Sequence, residues 1–315
     1  MDFVMVHTYS RHNKTDMADN SQYYTVATSR QFHKPTYVAE TGETVPDHHH
    51  SFPTDPSGIG LHNALWASMT SMGAMTSMVW WWDSWVAPHN LYHHFTAVRT
   101  FADSIEWAKH TWTPIGRNAA QQCTDINPDN RVPPEYTCAQ QASWGKCDGK
   151  PNGTNPWMKG MCCKTCHPHS LAACRQCSAE RHGDNGGGHQ AVALGAGARA
   201  FGMVGQPLGG VDGDAGVVTV VMWVQNRNYT FSQQDATKPA ASRPPLLTIR
   251  NLYIDFNTIP MSSRMLGLVG HFNVTFINTT SGAAMGEVQS LQCPKDCRAI
   301  VPAFTTDIAV AVKLA

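Results

Sequence analysis

Eight of the ten cysteines lie between Cys123 and Cys177. So short a stretch buries too little apolar surface to close a core unaided, so its fold must rest on crosslinks. Such density suits an oxidising compartment. Asn-X-Ser/Thr sequons beginning at Asn13, Asn152, Asn228, Asn273 and Asn278 point the same way and predict a secreted glycoprotein. In a reducing cytosol the Cys162-Cys163-x-x-Cys166 and Cys174-x-x-Cys177 group would read as zinc ligands, and the sequons favour disulfides. Cys293 and Cys297, in the run CPKDC, are spaced to pair locally. His48, His49 and His50 are adjacent on an extended loop and do not converge on one ion, so no metal is expected. The start, MDFVMVHTYSRHN, lacks the basic and apolar regions of an export signal. A secreted chain with such a start is expected to have lost an upstream portion. No run of eighteen apolar residues is present, so no membrane span is expected.

Around this stretch the 315-residue chain changes character twice. Residues 1–122 alternate short apolar runs with helical periodicity. Asp2–Tyr9 (DFVMVHTY), Lys34–Thr41 (KPTYVAET) and Thr76–Asp83 (TSMVWWWD) read as buried parallel strands. Leu61, Leu65, Met69 and Met72 are spaced as one helix face, and so are Leu91, Phe95, Val98, Ala102 and Ile105. The helix after the first strand is the least clear. Strand and helix in alternation predict a parallel α/β architecture, with chemistry at the carboxyl ends of the strands. The residues there are His7 and Tyr9, then Glu40, then Trp81, Trp82 and Asp83. Residues 123–177 form the cysteine-rich unit, 178–190 a Gly-rich linker, and 191–315 a β-rich domain. In that last domain Val217–Val224, Leu246–Leu252, His271–Ile277 and Ile308–Leu314 read as strands. Period-two alternation, as in Phe272, Val274 and Phe276, and as in Ile308, Val310 and Val312 against Ala309, Ala311 and Lys313, predicts an antiparallel sandwich with one wet face.

Three pieces of sequence resemble known families. DFVMVHTY, KPTYVAETG, GIGLHNALWASMTSM and WWWDSWVAPHNLYHHFTAVRTFADSI resemble, in order, the last three strand–helix units of a cellulase- and mannanase-type retaining glycoside hydrolase. This likeness implies an α/β partial (β/α)8 barrel over 1–122. The cysteine-rich stretch is similar to the sea-anemone-toxin-like (ShK) module, through Cys123-Thr-Asp125, Cys138, Trp144-Gly-Lys-Cys147 and Met158-Lys-Gly-Met-Cys162-Cys163-Lys-Thr-Cys166. It departs from that pattern at His169, where a last cysteine would fall, and at the extra Cys163. The module's pattern implies Cys138–Cys162 and Cys147–Cys166, with Cys123 joined to Cys174 or Cys177. VVMWVQNRN and VPAFTTDIAVAVKL resemble strands of the small β-sandwich that follows the barrel in the same hydrolase subgroup.

The hydrolase resemblance implies a role for each strand-end residue. Glu40 is the nucleophile, His7 and Tyr9 orient it, Trp81 or Trp82 floors the sugar, and Asp83 binds a hydroxyl or ties down the strand end. Retaining hydrolysis needs two carboxyl groups about 5–5.5 Å apart. The family's second carboxyl follows an Asn, and this chain has no Asn-Glu pair; its glutamates are Glu40, Glu43, Glu106, Glu135, Glu180 and Glu287. Three strands do not close a barrel, so the chain alone is expected to be inactive toward glycosides. The expected partner is a polysaccharide or oligosaccharide, and no cofactor is implied. Lys plus Arg equals Asp plus Glu at 23 each, which gives no field for nucleic acid. Two other readings compete: a secreted carbohydrate- or protein-binding module without catalysis, and a channel blocker acting through Trp157-Met158-Lys159.

Overall fold

The computed structural model of the chain describes residues 2–11, 16–44, 55–72, 76–117, 138–143, 163–166, 192–195, 197–208, 218–230, 233–262, 264–265 and 268–315. Two compact units are present, one made of 1–116 with 191–315 and one of 117–190. The second contributes two short helices, Cys138–Ser143 and Cys163–Cys166. Cys138 and Cys166 each take part in a disulfide. Cys123, Cys147, Cys162, Cys174 and Cys177 lie outside the described residues, as do Asn13, Asn152 and His48–His50.

The first unit begins with β1 (Val4–Arg11), α1 (Met17–Phe32), β2 (Thr36–Thr44) and α2 (Ile59–Met69). β1 and β2 pair in parallel. Asp16 caps α1 by accepting the Ala18 amide at 2.9 Å. α2 is capped from further back, since both Asp55 carboxylate oxygens accept backbone amides, from Ile59 at 2.8 Å and Gly60 at 2.7 Å. Gly58 permits this with a φ of 74°, and any side chain there would press on Leu91. Every residue of α2 from Ile59 to Ser68 is buried, the polar His62, Asn63 and Ser68 included.

The chain continues through α3 (His93–Asp103), β3 (His110–Pro114) and β4 (Gly116–Arg117). After the second unit come β5 (Val192–Gly195), β6 (Ala198–Pro207) and β7 (Thr219–Asn226). Next are β8 (Tyr253–Asp255), β9 (Pro260–Ser262), β10 (Arg264–Met265) and β11 (Gly270–Ile277). The last three are β12 (Gln289–Cys293), β13 (Arg298–Ile300) and β14 (Asp307–Leu314). One antiparallel sheet dominates, in the order β12-β11-β14-β7-β6-β3, with β5 also on β6. β8 and β13 make a ribbon, and β10, β9 and β4 a small sheet.

The expected partial (β/α)8 barrel, followed by a cysteine-rich module and a sandwich, is overturned. Strand outweighs helix, and the large sheet is antiparallel. The expected third parallel strand is reduced to one bridge, Val79 to Thr41, after which Trp82–Val86 coil into a wide π-type turn that buries Trp85 and Val86. Leu246–Leu252 makes only a bridge, Ile249 to Phe304. The central sheet also has no free wet face at its middle strands. On one side Val220, Met222, Val224, Ile308, Val310 and Val312 pack against Ile254, Phe256, Ala299 and Phe304. On the other, Val221, Trp223, Ala309 and Ala311 are covered by Leu61, Leu65 and Trp66 of α2 and by Phe101 of α3. All eight residues of β7 are therefore buried. Cys293 and Cys297 form a disulfide as spaced.

Candidate functional site

Pairing of β1 with β2 brings three of the predicted residues together, within the strands and not at their carboxyl ends as expected. Val4, Met5 and Val6 lie opposite Thr36, Tyr37 and Val38, but His7 lies opposite Glu40, with Ala39 left over as a bulge. Because side chains alternate, an unbulged register would put Glu40 on the face of Thr8. The bulge brings Glu40 onto the face that carries His7 and Tyr9. Thr8 and Thr41 then share the buried face, 3.4 Å apart at their hydroxyls.

Two of the predicted residues converge on one carboxylate oxygen of a third. The Tyr9 hydroxyl donates to Glu40 Oε2 at 2.6 Å, and His7 Nδ1 lies 3.1 Å from the same atom. Burial first, and then the Glu40 carboxylate that accepts its hydrogen bond, push the Tyr9 phenol well above its ordinary range. Tyr9 therefore stays a donor. The Trp81 ring meets Tyr9 edge-on, with centroids 6.0 Å apart. It also sits on Gly42, where a Cβ would stand 2.8 Å from Trp81 Cε3 and closer still to Cζ3. Backbone bonds hold this edge in place: Thr41 N to Met78 O at 2.8 Å and Trp80 N to Thr41 O at 3.1 Å.

Trp82 is 64% exposed and Trp80 is 54% exposed. Asp83 is exposed on the π-type turn and accepts from the Ser84 hydroxyl at 3.2 Å; it does not join the Glu40 group. Glu106 lies past the end of α3 and pairs with Lys109. Among the described residues, no group of three His, Cys, Asp or Glu is placed to hold a metal. No helix among them is long and apolar enough to cross a membrane. The described sequons occupy three settings. Asn228 follows β7, with its amide donating to Pro245 O at 3.4 Å. Asn273 lies in β11 and accepts from Ser290. Asn278 lies in the turn after β11 and accepts from the amides of Thr280 and Ser281.

The sequence reading missed Gly42, although its place two residues after Glu40 puts it on the same strand face. A second polar group, wholly interior, was also missed. Asp307 accepts from His62 Nε2 at 2.5 Å, from Trp223 Nε1 at 2.7 Å and from the Thr279 hydroxyl at 2.7 Å. His62 Nδ1 lies 3.2 Å from His94 Nδ1, and His94 Nε2 donates to the Ser57 carbonyl at 3.0 Å. No local signal marks this group, because His62 and Asp307 are 245 residues apart. Comparison of the chain with protein-family models, with curated proteins and with solved structures found no match in any of the three.

Proposed function

We propose that the Glu40 face is a carbohydrate site of the retaining glycoside hydrolase type, on a secreted protein, with Glu40 the carboxylate that attacks the anomeric carbon. The observation that carries this reading is the Tyr9–Glu40 hydrogen bond of 2.6 Å beside a Trp81 ring seated on Gly42. A carboxylate held by a phenol and an imidazole next to an indole offers one group to the reacting carbon and an apolar surface to the sugar ring. A second reading, carbohydrate binding without catalysis, is favoured by one fact. The family's second carboxyl follows an Asn, and this chain has no Asn-Glu pair. Retaining hydrolysis needs that second group to protonate the leaving oxygen. On this second reading the chain alone binds β-linked glucan or mannan without turning it over.

A dinitrophenyl β-glycoside separates the two readings, because its leaving group needs no proton. Attack by Glu40 forms an ester at C1 and expels dinitrophenolate. The catalytic reading expects about one equivalent of dinitrophenolate per chain, with the sugar's mass added to the Glu40 peptide and neither result in Glu40→Gln. Binding of the oligosaccharide with no release leaves the second reading. Absence of both release and binding removes the carbohydrate assignment.

A further inference from the structure

We infer that the outer edge of β1 is a dimerisation edge, where a second copy of this chain adds its own β1 antiparallel to complete a four-stranded sheet. The β1–β2 sheet is open along one side. β2 is held on both of its edges. On one it pairs with β1, and on the other the 78–80 segment bonds it through Met78 N to Val38 O at 2.9 Å, Thr41 N to Met78 O at 2.8 Å and Trp80 N to Thr41 O at 3.1 Å. β1 pairs with β2 alone. The Val4 amide donates toward β2, to Pro35 O at 2.8 Å. Backbone groups alternate from side to side along a strand, so the amides and carbonyls of Met5, His7 and Tyr9 point away from β2. Among the described residues, none of these three has a backbone partner on that side.

Side chains make the same edge apolar. Met5 lies on the face of Glu40 and is 56% exposed, and Phe3, two residues before it, is 48% exposed. The Tyr37 ring leans on them from β2, with its centroid 5.5 Å from that of Phe3 and its hydroxyl donating to the Met5 sulfur at 3.2 Å. Edge strands that stay single are blunted by charges, by proline, by a bulge or by a covering element. β1 has none of these from Val4 to Ser10 (VMVHTYS), which holds no Lys, Asp, Glu or Pro, and the bulge of this sheet is in β2.

A second copy fits this edge better than an unrelated strand does, because a strand set antiparallel beside itself is self-complementary. A two-fold axis normal to the sheet brings the outward amides of each copy to the outward carbonyls of the other. Since the 78–80 segment occupies the far edge of β2, association closes at two copies and does not run on as a fibre. The axis also keeps both Glu40 faces on one side of the joint sheet, with the two β2 strands three strand spacings apart, about 14 Å.

Sedimentation equilibrium of the full chain tests the dimer. At about 50 µM the parent should show twice the single-chain mass, which is 34.5 kDa. Met5→Lys sets two like charges at the joint. Met5→Pro removes an outward amide and leaves the β2 pairing intact. Each should weaken the dimer by roughly tenfold or more, with the far-ultraviolet dichroism of the parent retained. Tyr253→Lys, on an exposed residue of β8, should leave the dimer as it is. A parent with the mass of one chain, or of more than two, would overturn the inference. So would a dimer that persists unweakened in Met5→Lys and Met5→Pro.

Discussion

Gly42 and Trp81 share one volume so closely that the strand has room for no side chain. Gly42→Ala must displace the indole, because the β2 backbone is fixed by β1 on one side and by the 78–80 segment on the other. The expected outcome is a fall of roughly two- to tenfold in oligosaccharide affinity, as a stacking face worth roughly 0.5–1.5 kcal/mol is lost. Titration with β-linked oligosaccharide checks it, and near-ultraviolet dichroism reports the moved indole. Restored affinity in Gly42→Ala with Trp81→Phe would show that the collision is the cause. At this scale His7, Tyr9 and Glu40 were legible as polar residues closing apolar runs, which is a local pattern, but the strands continue past them to Arg11 and Thr44. Their meeting on one face was not legible. It depends on the bulge at Ala39, and nothing in KPTYVAET marks which residue the pairing will skip.

At the scale of elements, α1 shows why one helix was faint in the sequence. It buries polar residues, among them Asn20, Ser21, Gln22 and Thr25, so apolar periodicity has little to register. Two of those groups are spent on hydrogen bonds instead: Ser21 with the Ser77 hydroxyl at 3.1 Å and Thr25 to Ser71 O at 2.7 Å. Its first turn is tied to β6 by Arg199, which bonds Asp16 and grips both oxygens of Asp19 at 2.9 Å. Arg199 and Asp16 are almost wholly buried. Arg199→Ala would leave the Asp16 carboxylate interior and unpaired, at a cost of about 3–5 kcal/mol. Urea unfolding reads that as a lower midpoint with an unchanged slope, and a loss under 1 kcal/mol would refute it. β14 misled in the other direction. Ala309 and Ala311 alternate with large apolar residues and read as a wet face, yet they are small so that α2 and α3 can approach. Alanine suits either setting, and the covering helices lie about two hundred residues upstream.

At the scale of the molecule, the cysteine-rich unit enters and leaves by one sheet edge. Ile115 donates its amide to Gly202 O at 2.8 Å, and Val192 pairs with Ala200. Two residues along β6 separate these points, which is roughly 7 Å. A short Gly-Ser linker in place of residues 118–190 should therefore leave the sheet intact, with a melting temperature within about 5 °C of the parent. Loss of the cooperative melt would refute this. The 245 residues between His62 and Asp307 bear on how the chain is made as well as on how it holds. Ribosomes add roughly 5–20 residues per second, so α2 leaves the exit tunnel on the order of 10–50 s before the strand that anchors it. For that interval Leu61, Leu65 and Trp66 have no sheet to cover them, and the nascent protein is a natural client for a chaperone.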